Sequence, residues 1–332
     1  MIYKLINNLL DIGNQTIFQI IICLCFLFAC NQLKAQQEIM YSQYMYNMIN
    51  INPAFAGNSV NDNITALYRK QWVNVAGSPT TYSVSWDRGM NENDDDDLGL
   101  VQKSNLPVGY GLQIYKDQLG IETSQGIQAF YSFRIRFNES VLSLGLSGGV
   151  MNYRALFSQV STVTGGDPLF QEDVSVIVPT SGVGVLYSTR NWYVGLSAPS
   201  LLQTKILDIK QQIVNGSNTH YFLNGGYVFK VSNDLMLKPS LMLKSINAIN
   251  LQYDINFNAW IQNSVGLGVS YRSNDALVGM FSIMATPQIT IGYAYDYLIS
   301  NMTHFSTGSH ELILNYQFNK TKKSHILSPR YF

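Results

Sequence analysis

Gly145-Leu146-Ser147-Gly148-Gly149 has the G-x-S-x-G spacing of a nucleophile elbow. That motif needs a strand, a sharp turn and then a helix, so that strain lifts the serine hydroxyl clear of the sheet. Here Leu142, Leu144 and Leu146 alternate with small residues straight through it, which makes Ser147 an ordinary strand residue. The available bases are His220, His304, His310 and His325. A hydrolase would set a histidine beside a Ser or Asp, and His304 or His310 with Asp296 is the pair on offer, though no spacing favours it. His310-Glu311 lacks the second histidine of a zinc helix and opens a strand. The run Asp94 to Asp97 could attract a cation or a basic partner. No glycine and closing glutamate follow it at calcium-loop spacing, so it reads as a solvated, self-repelling loop. The sequence contains no phosphate loop, dinucleotide fingerprint or basic nucleic-acid patch. It therefore predicts no catalytic residue, no cofactor, no metal and no nucleic-acid partner.

The elements that carry these residues are strands. In Asn250 to Trp260, Leu251, Tyr253, Ile255, Phe257 and Ala259 alternate with Asn250, Gln252, Asp254, Asn256 and Asn258. A period of two puts the apolar side chains on one face and the polar ones on the other, which excludes a helix. Such a strand suits half of a solvated sheet, or a wall with lipid outside and a polar lumen inside. Composition favours the wall. Of 332 residues only 13% are charged, 12% are aromatic and 21 are Tyr. Mean hydropathy is +0.02, too low for a helical membrane protein. Lys+Arg and Asp+Glu balance at 21 each, so no net field calls for nucleic acid.

Strands are expected over 62–74, 79–88, 107–117, 121–137, 140–153, 181–189, 191–198, 219–231, 234–245, 249–259, 263–273, 276–285, 287–297 and 310–318. Small residues recur too often on the polar face for a packed sandwich. The fold class read from this is all-β, a transmembrane antiparallel β-barrel of about 14 strands, which also removes unpaired edges. With both termini periplasmic, the turns at Asn138-Glu139, Thr189 to Asn191, Ser232 to Asp234, Trp260 to Gln262 and Thr286-Pro287 are short and inner. The long connections, about 154–180, 199–218 and 298–309, are outer. The loop from Gly89 to Leu106 breaks this rule, being long yet periplasmic.

Residues 1–35 read as an export signal, with Lys4, an apolar core from Ile17 to Ala29, and cleavage after Ala35. Leu27-Phe28-Ala29-Cys30 resembles a lipobox, which keeps acylation of Cys30 as the alternative. Cys23, Cys25 and Cys30 are the three cysteines, so cleavage at Ala35 leaves no thiol and no disulfide. Residues 36–61 are expected to form an N-terminal periplasmic segment or partial plug, 62–318 the barrel, and 319–332 a basic tail.

Several stretches, in order along the chain, resemble the PorP/SprF family of the type IX secretion system. They are Asn52-Pro53-Ala54-Phe55-Ala56-Gly57, Tyr68-Arg69-Lys70-Gln71-Trp72, Gly77-Ser78-Pro79-Thr80-Thr81 and Asp117-Gln118-Leu119-Gly120. Tyr187 to Pro199, Lys238-Pro239-Ser240, Tyr271-Arg272, Gly292 to Tyr297 and Gly308-Ser309-His310-Glu311 continue the match. The residues this singles out for partner docking or family pattern are Asn52, Pro53, Gly57, Arg69, Gln71, Trp72, Pro79, Asp117, Gly120, Pro199, Pro239, Asp296, Ser309, His310 and Glu311. The resemblance implies a non-enzymatic outer-membrane barrel that meets a periplasmic ring made of a lipoprotein and its partner subunit. It also implies support for secretion or surface attachment of client proteins such as gliding adhesins. Without the resemblance, a passive outer-membrane porin is the competing expectation.

Overall fold

The computed structural model describes residues 40–58, 62–88, 108–159, 172–202, 205–207, 213–216, 219–246 and 250–318. Residues 1–35, expected to be an export signal, Asp94 to Asp97 and the tail 319–332 lie outside the described residues.

The strands are β1 (Asn63–Lys70), β2 (Thr80–Asp87), β3 (Val108–Leu119), β4 (Glu122–Arg136), β5 (Ser140–Ala155), β6 (Val174–Thr189) and β7 (Trp192–Ala198). They continue as β8 (His220–Tyr227, resuming at Phe229–Lys230), β9 (Leu235–Ile246), β10 (Asn250–Ile261), β11 (Val265–Arg272), β12 (Ala276–Met284), β13 (Ile289–Leu298) and β14 (Ser309–Gln317). Each pairs antiparallel with the next, and β14 pairs with β1 from Asn63↔Gln317 to Lys70↔His310, so the sheet closes. The fold is an antiparallel barrel of 14 strands, and every strand predicted from the sequence takes its place in it. A small hairpin, Lys205–Leu207 with Ile213–Gly216, forms a separate sheet between β7 and β8.

The break in β8 has a local cause. Tyr227 and Val228 stand opposite Pro239 and Lys238, and proline has no N–H to give the ladder. On its other side β8 continues unbroken, the amide of Val228 donating to the carbonyl of Asn191 at 2.7 Å.

Alternation sorts the side chains as the sequence pattern requires. On β10 Leu251, Ile255, Phe257 and Ile261 are exposed to the outside, whereas Asp254, Asn256 and Trp260 are buried within. On β14 Leu312, Leu314 and Tyr316 face out, while Glu311, Ile313 and Asn315 face in.

Strands β5 and β6 are longer than their patterns suggested, and there the polarity reverses. Leu144, Leu146 and Val150 point outward, but beyond them the outward positions become Asn152 and Arg154. The inward positions change from Ser143, Gly145 and Ser147 to Met151, Tyr153 and Ala155, which pack on Val174, Val176 and Val178. An apolar inner and polar outer face is how a sheet behaves in water, so the apolar band of the wall ends near Val150 on this strand. The alternation of Val174, Val176 and Val178 was visible in the sequence. Its opposite parity made it read as loop.

The end of the barrel where β1 starts and β14 finishes carries short turns at 137–139, 190–191, 231–234, 262–264 and 285–288. The turn at 262–264 puts Gln262 and Asn263 at positive φ, the backbone that a tight hairpin demands. The opposite, far end carries the connections 156–173, 199–219 and 299–308.

Residues 40–58 lie inside the ring as three short 3-10 turns: Tyr44–Tyr46, Met48–Asn50 and Pro53–Phe55. They bond inward-facing groups on β1, β2, β4, β7, β10 and β14, and so cross the lumen from the far end to the start of β1. The main hydrophobic core of the protein is this segment. Tyr44, Met48, Ile49, Ile51 and Phe55 pack against Leu67, Phe130, Leu186, Tyr193, Trp260 and Ile313 of the wall.

Candidate functional site: a buried ion network clasping the internal segment

Arg69 near the end of β1, Asp254 on β10, Arg272 closing β11, Asp296 on β13 and Glu311 on β14 all occupy inward positions at the far end. A charge at such a position has no water to solvate it and must find a partner. Arg69 bonds Asp296 at 2.7 Å and Glu311 at 3.0 Å. Arg272 bonds Asp254, Asp275 and Asp296, each at 3.3 Å. Arg69 is 1% exposed and Glu311 0%, so solvent does not screen these pairs.

The network closes around Ser42. Its hydroxyl donates to Asp296 at 2.7 and 2.8 Å and accepts from Arg69 Nη1 at 2.7 Å and Arg272 Nη2 at 3.3 Å. The carboxylate of Glu311 takes the amide hydrogens of Ser42 and Gln43 at 2.8 and 2.7 Å. These are charge-assisted bonds, the strong class. Chemically the arrangement is a clasp on a main chain, with the carboxylates turned onto guanidinium groups. Among the described residues no group of three or more His, Cys, Asp or Glu is arranged to hold a metal ion.

A cap covers the clasp. Gln71, with its amide oxygen toward Arg69, accepts from Nη2 and Nε at 3.2 Å each. Trp72 adopts φ 45°, unusual for a bulky residue, and packs with Met45 and Met302 against Ala276, Val278, Ala294 and Leu298. Its amide donates to Ser309 Oγ at 3.2 Å, and Val73 N–H donates to the carbonyl of Gly308 at 2.9 Å. The connections 71–79 and 299–308 are thereby zipped together. On the other flank the amide of Gly120 donates to the carbonyl of Gly77 at 2.7 Å, and a Cβ on Gly77 would meet Gly120 Cα.

Further along the lumen, Asn52 caps the turn Pro53–Phe55 by accepting from Ala54 N–H at 2.9 Å, and its side chain donates to the carbonyl of Val185 at 3.0 Å. Ser132 and Arg134 both donate to the carbonyl of Ala56. Phe55 stands edge-on to Tyr193 with ring centroids 5.6 Å apart. Wall glycines admit this approach: a Cβ on Gly145 would strike Ala54, one on Gly109 would strike Ala56, and one on Gly184 would strike Asn52. A cavity of about 20 Å³ remains between Met45, Tyr46, Lys238 and Trp260, room for about one water.

The structure thus gathers Arg69, Gln71, Trp72, Asp296, Ser309 and Glu311 at the clasp and its cap. Asn52, Pro53 and Gly57 lie in the segment it holds, where they face the barrel wall. Pro79 and Asp117 brace the far rim, the first through the amide of Gln71 and the second through Thr81 Oγ1 at 2.5 Å. Pro199 sits beside Gly182 where β7 ends, and Pro239 interrupts the ladder of β8. His310 stands apart on the outer face, its ring 2.7 Å from the Tyr293 hydroxyl. Asp296 points inward and is bound to Arg69 and Arg272, whereas His310 points outward, so these two do not pair. Ser147 is bonded to Gln128 within the wall. Ser42, Asp254 and Ser132 escaped the sequence reading. Asp254 carried a signal, a charge on the polar parity of a strand; Ser42, in an aperiodic stretch, carried none.

A sequence profile described as "Type IX secretion system membrane protein PorP/SprF" matches residues 33–316. Among curated proteins no sequence matches the chain. Solved structures with a similar fold include the Acinetobacter baumannii outer membrane protein Omp33, at 10% identity over 79% of this chain and 100% of that one (TM-score 0.44). Another is the translocator domain of the autotransporter NalP from Neisseria meningitidis, at 11% identity over 79% and 90% (TM-score 0.41). The Ralstonia pickettii toluene transporter TbuX matches at 10% over 81% and 92% (TM-score 0.45).

Proposed function

This chain belongs to the PorP/SprF family of type IX secretion system membrane proteins, and from that premise we propose that it acts as a closed, non-enzymatic barrel of the outer membrane that works by docking. Residues 1–35 export it, and the apolar outer band of the wall meets lipid. The observation that carries the reading is the filled lumen, because a barrel built to conduct would leave that space to water. The end with short turns faces the periplasmic ring of lipoprotein and partner subunit, with Glu139, Arg190 and Asp234 exposed there. The far-end connections face a secreted client such as an adhesin.

A passive porin is the competing reading, supported by the polar side chains that line the lumen behind the segment. Planar-bilayer recording separates the two: the intact protein is expected to insert without steady conductance, and a constant open pore would sink the docking reading. Docking itself is tested by reversing the exposed charges with Glu139→Lys, Arg190→Glu and Asp234→Lys together. The barrel is expected in the membrane at normal levels with the ring proteins no longer copurifying. Unchanged copurification removes these turns from the interface.

A further inference from the structure

The wall holds segment 40–58 by its main chain as well as by its side chains. Glu311 takes two successive amides, Ser197 Oγ donates to the carbonyl of Ile51 at 2.6 Å, and Ser132 Oγ donates to that of Ala56 at 2.7 Å. Main-chain groups are the same in every polypeptide, so these contacts do not depend on which side chains the bound segment carries. Gly109 and Gly145 leave room for the segment's backbone at Ala56 and Ala54. Where side chains pack, several are methionines, Met45 and Met48 on the segment and Met236 and Met242 on the wall, which adapt to different neighbours. Asn224 is 1% exposed beside Asn52, yet both its amide atoms lack a hydrogen-bond partner. Such a group is free to bond the main chain of another occupant.

We propose that the lumen is a binding site for an extended polypeptide, gripped through its backbone at the positions now held by Ser42-Gln43, Ile51 and Ala56, and that residues 40–58 occupy it as an intramolecular stand-in. A tethered ligand acts at an effective concentration of about millimolar, so it excludes weaker competitors until its hold is loosened. The site is separate from the docking turns, and either idea can fail without the other.

The test uses the intact protein refolded in detergent and a fluorescein-labelled synthetic peptide matching residues 40–58. Ser42→Pro removes both the hydroxyl and the amide hydrogen that the clasp holds, and Phe55→Ala loosens the segment independently; neither alters the wall. Fluorescence anisotropy is expected to show the peptide binding each variant about tenfold tighter than the unaltered protein, through the larger competent fraction. A peptide N-methylated at the Ser42 and Gln43 positions is expected to bind about tenfold more weakly, whereas one carrying alanine for Tyr44 stays within about threefold. Failure of both variants to bind, with the barrel intact by heat-modifiable migration, overturns the proposal. So does binding that tolerates N-methylation and is lost with the tyrosine.

Discussion

Arg69 answers to Asp296, Glu311, Ser42 and Gln71 at once, inside a barrel where a lone guanidinium would find no water. Removing one member of a buried ion pair costs about 3–5 kcal/mol because its partners keep their charge. Arg69→Met is therefore expected to lower the free energy of urea unfolding in detergent by that much. Lys70→Ala, next in sequence, removes bonds to Ser78 and Thr80 at the rim and should cost about 1 kcal/mol. Equal losses for the two would contradict the clasp. At this scale the sequence revealed half of the site. Arg69, Asp296 and Glu311 could be picked out by motif and by their place in alternating strands. Ser42 could not, since nothing in an aperiodic stretch says which hydroxyl will meet which guanidinium.

Strand β5 carries two environments along its length. Leu144 faces outward in the apolar band, and under the proposed membrane setting an arginine there costs about 2–4 kcal/mol near the middle of the wall. Ile177 on β6 also faces out, but beyond the reversal of polarity, and is 73% exposed. Leu144→Arg should reduce assembled barrel and lower its melting point. Ile177→Arg should change neither, since surface substitutions of that kind usually stay within about 0.5 kcal/mol. If both variants assemble equally well, the band does not end at Val150. The existence of each strand was legible because a period of two is a local signal. The extra length of β5 and β6 was not, since the same alternation with inverted parity means wall in one medium and loop in the other until the medium is known.

For the whole molecule the consequence is a polarity. The internal segment runs from the clasp at the far end to β1 at the other, and the reversal of the wall's faces also lies at the far end. If that end is extracellular, cysteine at Arg154 reacts with a membrane-impermeant maleimide on intact cells, and cysteine at Asp234 reacts only after the outer membrane is opened. The opposite labelling would invert the barrel and exchange the faces assigned to ring and client.

By itself the sequence determined the wall: strand number, which face is apolar, and where turns fall. Each follows from neighbours a few residues apart, through alternation and turn chemistry. Only the closed ring decided what the wall encloses. Arg69 and Glu311 are separated by 242 positions, and they meet because β14 pairs with β1. Until that closure exists the inward charges have no common centre, and Ser42 has nothing to be held by.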